Sequence, residues 1–202
     1  MKSRKTSKDR KVEILSTTLD LAFEVGPDHV TTGMIAGRLG LSQPAIYKHF
    51  PKKEDVWLAV AERLCTQIAQ NVEKAGLGKR APTDRLRTLI LGQLQLISDT
   101  PALPEIMVTR DPTGALTKAR RQIQSAMGDF RAALSDAFEQ ARLGGQFQDC
   151  LGTNDGVTLL FGVIQSLVLR LIVTRDPAVL VQDGERLLDL QLSLFRCKGD
   201  GV

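Results

Sequence analysis

The sequence has few of the residues that build cross-linked or metal-bound proteins. Its 202 residues include only three cysteines and two histidines. Cys65, Cys150 and Cys197 lie far apart and form no CxxC pair. We therefore expect neither a disulfide framework nor a zinc site, and predict that isolated cysteines act as small hydrophobic side chains. No cofactor and no metal site is predicted.

Motifs of catalysis are also missing from the sequence. It contains no nucleophile motif, no glycine-rich phosphate loop and no HExxH, and its histidines, His29 and His49, both lie in the N-terminal quarter. These patterns supply the groups that most enzymes need for nucleophilic, phosphoryl-transfer or metal chemistry. The sequence argues against an enzyme, and we assign no catalytic residue.

The chain lacks a long uninterrupted hydrophobic run. Its N-terminus is basic without a following apolar stretch, so no signal peptide is expected. The longest apolar stretch, Val157 to Leu169, ends at Arg170 and is too short to cross a bilayer. These features predict a cytoplasmic protein with no membrane partner.

Positive charge is concentrated at one end of the chain. The net charge is only +4, yet residues 1–53 contain ten Lys or Arg against five Asp or Glu. Six of those ten cations lie within residues 2–11. A basic end on a nearly neutral body favours a polyanionic partner.

Hydrophobic residues recur at helical spacing through almost the whole sequence. Val56, Val60, Leu64 and Ile68 form one such series, and strand-like alternation is nowhere sustained. The pattern predicts an all-α protein. Gly and Pro breaks divide the chain into about nine helices, of which the first three are expected to be short.

The segment from Thr31 to Phe50 predicts two short helices joined by a tight turn. Thr31 or Thr32 is suited to cap the first helix, and Gly40 is suited to end it with a positive φ. Ser42 is predicted to cap the second helix, and Pro44 is tolerated in its first turn. Two helices joined in this way form a helix-turn-helix.

The second of these helices has one apolar and one polar face. Ile46 and Phe50 are four residues apart and are predicted to point to the core. Amides and cations on an outward face match base edges and phosphates in a DNA major groove, whereas the alternative is a helical hairpin with a solvated polar face. The outward face is predicted to contain Gln43, Pro44, Tyr47 and Lys48.

Residues 12–60 closely resemble the DNA-binding domain of TetR-family transcriptional regulators. The resemblance rests on LGLSQPAIYKHF at 39–50, with TT at 31 and 32, IA at 35 and 36, and KE at 53 and 54. It implies an N-terminal three-helix domain, residues 1–52, with a basic arm at Lys2 to Lys11. A fourth helix would join it to a C-terminal helical ligand-binding and dimerisation domain, residues 53–202.

The resemblance also implies roles for individual residues on a double-stranded DNA operator. The recognition helix would run from Gln43 to Phe50. Gln43, Ala45 and Lys48 would approach base edges, whereas Thr32, Tyr47, His49 and Lys53 would contact phosphates.

The helix predicted from Asn154 to Thr174 is apolar on almost every side, so it must be buried all round. One side can face the chain's own core, and a homodimer would cover the other; a core helix in a monomer is the alternative. The resemblance implies that this helix and the last one, roughly Asp183 to Cys197, form a four-helix bundle with a second copy.

A small-molecule effector is a further expectation from the resemblance, and the helix faces favour a largely apolar one. The sequence therefore predicts a homodimeric repressor that a ligand releases from a near-palindromic operator. A DNA-bound adaptor whose C-terminal domain docks a partner protein is the alternative. The predicted ligand-lining residues are Leu89, Gln93, Leu96, Met107, Met127, Phe130, Phe161 and Gln165.

Overall fold

The fold is taken from a computed structural model, which describes residues 6–78 and 80–196. Within these two ranges the chain forms nine α-helices and no strand, so the all-α prediction is confirmed. The helices are α1 (Ser7–Val25), α2 (Thr32–Leu39), α3 (Gln43–Tyr47), α4 (Lys53–Gly76), α5 (Pro82–Asp99), α6 (Leu103–Val108), α7 (Thr117–Leu143), α8 (Thr153–Thr174) and α9 (Val179–Phe195).

The N-terminal helices begin and end where local chemistry favours it. Thr6 and Asp9 form a reciprocal capping box at the start of α1. The Thr31 side chain accepts a hydrogen bond from the Met34 N–H and caps α2. Gly40 ends α2 at φ 65°, in the left-handed region that glycine reaches without a steric penalty. The predicted cap and stop of α2 are confirmed.

Three predictions about this region are wrong in detail. Ser42 occupies the N-cap position of α3, but its side chain makes no capping hydrogen bond. The α3 helix ends at Tyr47 rather than at Phe50, although the Phe50 N–H still donates to the Ile46 carbonyl at 3.0 Å. The first helix is 19 residues long, so only α2 and α3 are short among the first three.

The chain divides into two compact units. The first extends through Cys65 and also includes Thr100–Gln124. Within it α2 packs against α1 and α3, and α1 contacts α6. Buried apolar side chains hold these helices together: Ile14, Leu21, Ala22, Val30, Ile35, Ala36, Ile46, Phe50, Val56, Trp57 and Val60.

The second unit contains Thr66–Asp99 and the chain from Ser125 onward. Here α9 packs against both α5 and α8. The fit between α9 and α5 is close, because a Cβ added at Gly184 would lie 2.3 Å from a methyl carbon of Leu94. Three phenylalanines, Phe138, Phe147 and Phe195, stack edge to face or tilted with ring centroids 4.9 to 5.6 Å apart.

The predicted domain boundary between residues 52 and 53 remains a prediction. The fourth helix does begin at Lys53, as expected. Compactness, however, assigns α4 to the first unit through Cys65 and to the second from Thr66, and it divides α7 after Gln124. The compact units are therefore not the same division of the chain as the two predicted functional domains.

Candidate nucleic-acid interface

One face of α3 is polar and open to solvent. Gln43, Pro44, Tyr47 and Lys48 are all exposed, and the Tyr47 side chain retains 42% of its accessible surface. Ile46 and Phe50 lie on the other side of the helix with 0% and 5% exposure. The helix is therefore anchored by its apolar side, and its polar side is displayed on a fixed backbone.

The hydroxyl of Thr32 connects the two polar side chains at the ends of α3. Gln43 Nε2 donates to Thr32 Oγ1 at 2.8 Å, and Thr32 Oγ1 donates to the Tyr47 hydroxyl at 3.2 Å. Thr32 itself is only 5% exposed. Its hydroxyl is directed at neighbouring side chains, so the expected direct phosphate contact by Thr32 remains a prediction with little exposed surface to support it.

The remaining predicted contact residues are less exposed than Gln43, Tyr47 and Lys48. Ala45 and His49 on the α3 segment are half-buried, and so is Lys53 at the start of α4. His49 Nδ1 lies 3.5 Å from the Ser7 hydroxyl, which places the N-terminus of α1 beside the end of α3. Each of these contacts with DNA stays a prediction, and exposure gives most support to Gln43, Tyr47 and Lys48.

Part of the predicted basic arm belongs to a helix. The cations from Lys8 to Lys11 lie on the first turn and a half of α1, whereas residues 2–5 lie outside the described residues. Lys11 Nζ stands 5.5 Å above the Phe50 ring, a cation–π contact that holds a positive charge next to the α3 segment. Lys48 lies on the exposed face of α3, and Lys52 and Lys53 follow it within five residues along the chain.

The start of α4 is less open to an anion than its dipole alone implies. The Asp55 carboxylate accepts a hydrogen bond from the Lys52 N–H at 2.9 Å, and Glu54 adds a second negative charge in the first turn. These acids satisfy and screen the helix terminus. A phosphate there would depend on the ammonium group of Lys53 more than on the helix amides.

An ion pair ties α1 to α2 at the surface. Arg38 donates two hydrogen bonds to the Glu24 carboxylate, at 2.9 and 2.6 Å. The Arg38 guanidinium lowers the pKa of Glu24, chiefly through this hydrogen bond. The pair was not predicted from the sequence, because 14 residues and a turn separate the partners.

The predicted ligand-lining residues are divided between the two compact units, and their role stays a prediction. Met107 lies in the first unit and the other seven in the second. Gln93 and Met127 are in contact, with Nε2 3.7 Å from the sulfur, and the rings of Phe130 and Phe161 meet edge to face at 5.9 Å. Leu89 and Leu96 are buried, whereas Gln165 is exposed.

Gln93 is distinctive among these residues. It is 2% exposed, and its Oε1 atom has no hydrogen-bond partner among the residues that the structure describes. A buried amide oxygen without a donor costs free energy, so such an atom marks a place where a ligand donor would be stabilised. A separate groove of about 500 Å³ lies between α4 and α5, and of the predicted lining residues only Leu96 contributes to it.

In the single chain, α8 is buried on one side only, and the covering of its other side by a second copy stays a prediction. Gly156, Val157, Leu160, Val163, Ile164, Leu167 and Leu171 face the interior of the chain. Leu159, Leu169 and Val173 are 46%, 63% and 73% exposed, and Leu190 and Leu194 on α9 are 52% and 70% exposed. We call these five residues the α8–α9 apolar face.

This geometry defines a class of protein: a helix-turn-helix with an exposed polar face, carried by an all-helical chain. Residues 14–60 match the family model for bacterial regulatory proteins of the TetR family. The match covers the helix-turn-helix and the start of α4, and it identifies this N-terminal segment as a TetR-family domain.

Curated relatives match about half of the chain. A nucleoid occlusion factor, SlmA of Enterobacter sp. (strain 638), is 30% identical over 109 residues, which cover 53% of this chain and 55% of that protein. The chain thus spans about half the length of the curated relatives it matches.

Solved structures share the fold over nearly the whole chain. The ketosteroid transcriptional regulator KstR2 of Mycobacterium tuberculosis has a TM-score of 0.77 at 18% identity, with 94% of this chain and 96% of that one covered. FadR of Bacillus subtilis in complex with stearoyl-CoA has a TM-score of 0.69 at 19% identity, with 90% and 97% covered. At such identities the likeness defines the fold alone.

Proposed function

We propose that this protein is a sequence-specific DNA-binding regulator of transcription. The observation that carries the proposal is the α3 helix, whose apolar side is buried while its amide, phenol and ammonium groups are displayed to solvent. Amides and cations at the N-terminal part of a recognition helix match base edges in the major groove. The surrounding lysines supply the charge that a phosphate backbone requires.

The functional form is a homodimer that binds a near-palindromic operator. Two recognition helices reach successive major grooves when they are about 34 to 36 Å apart, which a two-fold symmetric dimer provides. The α8–α9 apolar face supports this proposal, since exposed leucine and valine side chains on two adjacent helices favour an apolar partner surface. A second copy of the same chain offers a matching face.

A membrane is the competing partner for the same face, because α8 is long and apolar enough by length and composition to cross a bilayer. The interior side of α8 is packed against α9. Arg170 on α8 also pairs with Asp183 at 2.6 Å, near α9's first turn. A helix held in this way by a soluble bundle favours the dimer, and we place the protein in the cytoplasm.

The sign of regulation is proposed to be repression, relieved by a small and largely apolar effector. The unpartnered Gln93 oxygen, the Met127 sulfur beside it and the paired rings of Phe130 and Phe161 support binding within the second unit. Met127 is an adaptable wall for an apolar ligand, and the Gln93 oxygen would accept one hydrogen bond from it. The likeness to FadR, solved with stearoyl-CoA, fits an apolar ligand but does not identify it.

A DNA-bound adaptor is the second candidate function. The curated relatives reported above are nucleoid occlusion factors, a name that describes a different task from relief of repression. On this reading the second unit contacts a partner protein instead of enclosing a ligand. Thermal shift with a library of apolar compounds separates the two, because stabilisation that Gln93→Leu abolishes requires an internal ligand site.

Selection of bound duplexes from a random pool tests the proposed function most directly. We expect enrichment of a near-palindrome whose half-sites are one helical turn apart or a multiple of it. Binding that is equal for all duplexes and vanishes at higher salt would leave only a non-specific electrostatic function.

A further inference from the structure

Thr32, Gln43 and Tyr47 form a hydrogen-bonded chain with a defined direction. The Gln43 amide nitrogen donates to Thr32 Oγ1 at 2.8 Å, and Thr32 Oγ1 donates to the Tyr47 oxygen at 3.2 Å. A hydroxyl has one proton and two lone pairs, so Thr32 can donate to only one of its two neighbours at a time. The buried, 5% exposed Thr32 is the centre of this chain.

The direction of these hydrogen bonds decides which atoms of Gln43 and Tyr47 remain available to contact DNA. With its nitrogen turned to Thr32, the exposed Gln43 side chain keeps its carbonyl oxygen available as an acceptor. Because Tyr47 accepts from Thr32, its own proton is free to point outward. Phosphate oxygens only accept hydrogen bonds, so the Tyr47 end matches a phosphate.

We propose that Thr32 is a positioning residue that couples the phosphate contact of Tyr47 to the base preference of Gln43. This proposal rests on the proposed DNA-binding function and deepens it. The outward carbonyl oxygen of Gln43 selects a base that offers an exocyclic amino group, which is the N6 amino group of adenine or the N4 amino group of cytosine.

The opposite orientation of the Gln43 amide conflicts with the phosphate. If the amide turned over, Thr32 would donate to the Gln43 oxygen, and Tyr47 would have to donate inward to Thr32. The Tyr47 oxygen would then present only lone pairs to a phosphate, which has no proton to give. A phosphate at Tyr47 therefore favours the orientation in which Gln43 offers its oxygen to a base.

The test compares Thr32→Val, which keeps the shape of the side chain but removes the hydroxyl, with Thr32→Ser, which keeps the hydroxyl. The measurement is the ratio of affinities between the selected operator and operators changed at the base pair where Gln43→Ala loses its preference. We expect Thr32→Val to reduce this ratio by about fivefold or more, the lower range that one well-placed amide–base contact supplies. Thr32→Ser is expected to retain the wild-type ratio.

Tyr47→Phe provides a second measurement that does not depend on the folding of Thr32→Val. It is expected to reduce the same ratio, besides weakening binding to all duplexes. Lys53→Ala is the matched control, because it removes a proposed phosphate contact that is not part of the Thr32 hydrogen bonds. It should weaken binding but leave the ratio of affinities between selected and changed operators at its wild-type value. An unchanged ratio in both Thr32→Val and Tyr47→Phe would overturn the coupling.

Base analogues test the direction itself. Replacing the Gln43-dependent base with an analogue that lacks its amino group should weaken the wild type and leave Gln43→Ala unaffected. Binding that survives this change but is lost when an acceptor atom is removed from the pair would overturn the proposal. A wild type that shows no base preference at all would instead refute the proposed function, so the two failures are distinguishable.

Discussion

Two exposed surfaces of this chain differ in what their side chains can do. The α3 face in the first unit displays an amide, a phenol and an ammonium group, and a buried threonine orients two of them. The α8–α9 apolar face in the second unit displays leucine and valine side chains that have no hydrogen-bonding groups. Both are solvent-exposed in the single chain, but their partners must be chemically different.

The difference shows how exposure should be interpreted. An exposed polar face is stable in water, and it gains by binding DNA only where its groups find matched donors, acceptors and phosphates. An exposed apolar face is unfavourable in water and gains from any well-fitting apolar surface. The first surface therefore depends on the direction of individual hydrogen bonds, whereas the second depends on area and shape.

The largest effect is expected inside the second unit, at Leu160. This residue is 0% exposed, so Leu160→Arg would place a charge without a partner in the core, at a cost of several kcal/mol. We expect unfolding, observed as loss of helical circular dichroism and of the thermal transition. A folded and cooperative Leu160→Arg variant would contradict the inward orientation of this face of α8.

Leu169→Arg is the matched change on the exposed side of the same helix. Leu169 is 63% exposed, so arginine there costs the folded monomer little. We expect normal helicity, a monomer in sedimentation velocity at micromolar concentration, and loss of operator binding. A wild type that sediments as a monomer, or a Leu169→Arg variant that remains dimeric, would remove the α8–α9 apolar face from the dimer interface.

Substitutions on and beside the α3 face are expected to have smaller effects. Variants that remove base contacts should differ from those that remove phosphate contacts. Lys48→Ala or Gln43→Ala should cost about 1 to 3 kcal/mol on the best operator and relax base preference. Lys53→Ala should weaken all duplexes alike and reduce the slope of log affinity against log salt by about one. Titrations of specific and scrambled duplexes at several salt concentrations distinguish these results, and equal losses on every sequence for all three variants would refute the assignment.

The smallest effect concerns an ion pair of the second unit. Hydrogen bonds from Arg142 and then Thr153 lower the pKa of Glu139 from 4.5 to about 2. A carboxylate whose pKa is lower in the folded state than in the unfolded state stabilises the folded protein at any pH above the unfolded pKa. This contribution is lost as pH falls from about 4.5 towards 2. In urea titrations, the stability difference between wild type and Glu139→Gln should therefore shrink over that interval.

Glu24→Gln is the corresponding control in the first unit, because Arg38 also lowers the pKa of Glu24. The same sign of pH dependence is expected there. A difference between wild type and Glu139→Gln that is constant from pH 6 to pH 2 would show that the Glu139 contacts contribute nothing to stability.

Much of the fold was predictable because it depends on local chemistry. The Thr31 cap, the positive φ at Gly40 and the start of α4 at Lys53 follow from side chains that act on their own neighbours in the sequence. The buried positions of Ile46 and Phe50 follow from their spacing of four. The predicted Ser42 cap was wrong for an equally local reason. A side chain suited to capping must also lie within reach of an unsatisfied amide.

The candidate site was predictable in composition but not in orientation. The sequence placed Gln43, Tyr47 and Lys48 on one outward face through helical periodicity. It could not show that Thr32 turns its hydroxyl inward to join Gln43 and Tyr47, because that contact requires α2 and α3 to cross at a particular angle. Nor could it show that Met107 lies in a different compact unit from the other predicted ligand-lining residues.

By itself the sequence determined the helical class, the turn between α2 and α3, and the polar face of the recognition helix, because periodicity, caps and glycine act over a few residues. Only the tertiary structure decided which side of α8 faces inward, since an almost wholly apolar helix carries no pattern that distinguishes its sides. The packing of α8 on α9 buries Leu160 and leaves Leu169 exposed. Likewise, the hydrogen bonds that join Thr32 on α2 to Gln43 and Tyr47 on α3 depend on contacts between helices, which no local pattern encodes.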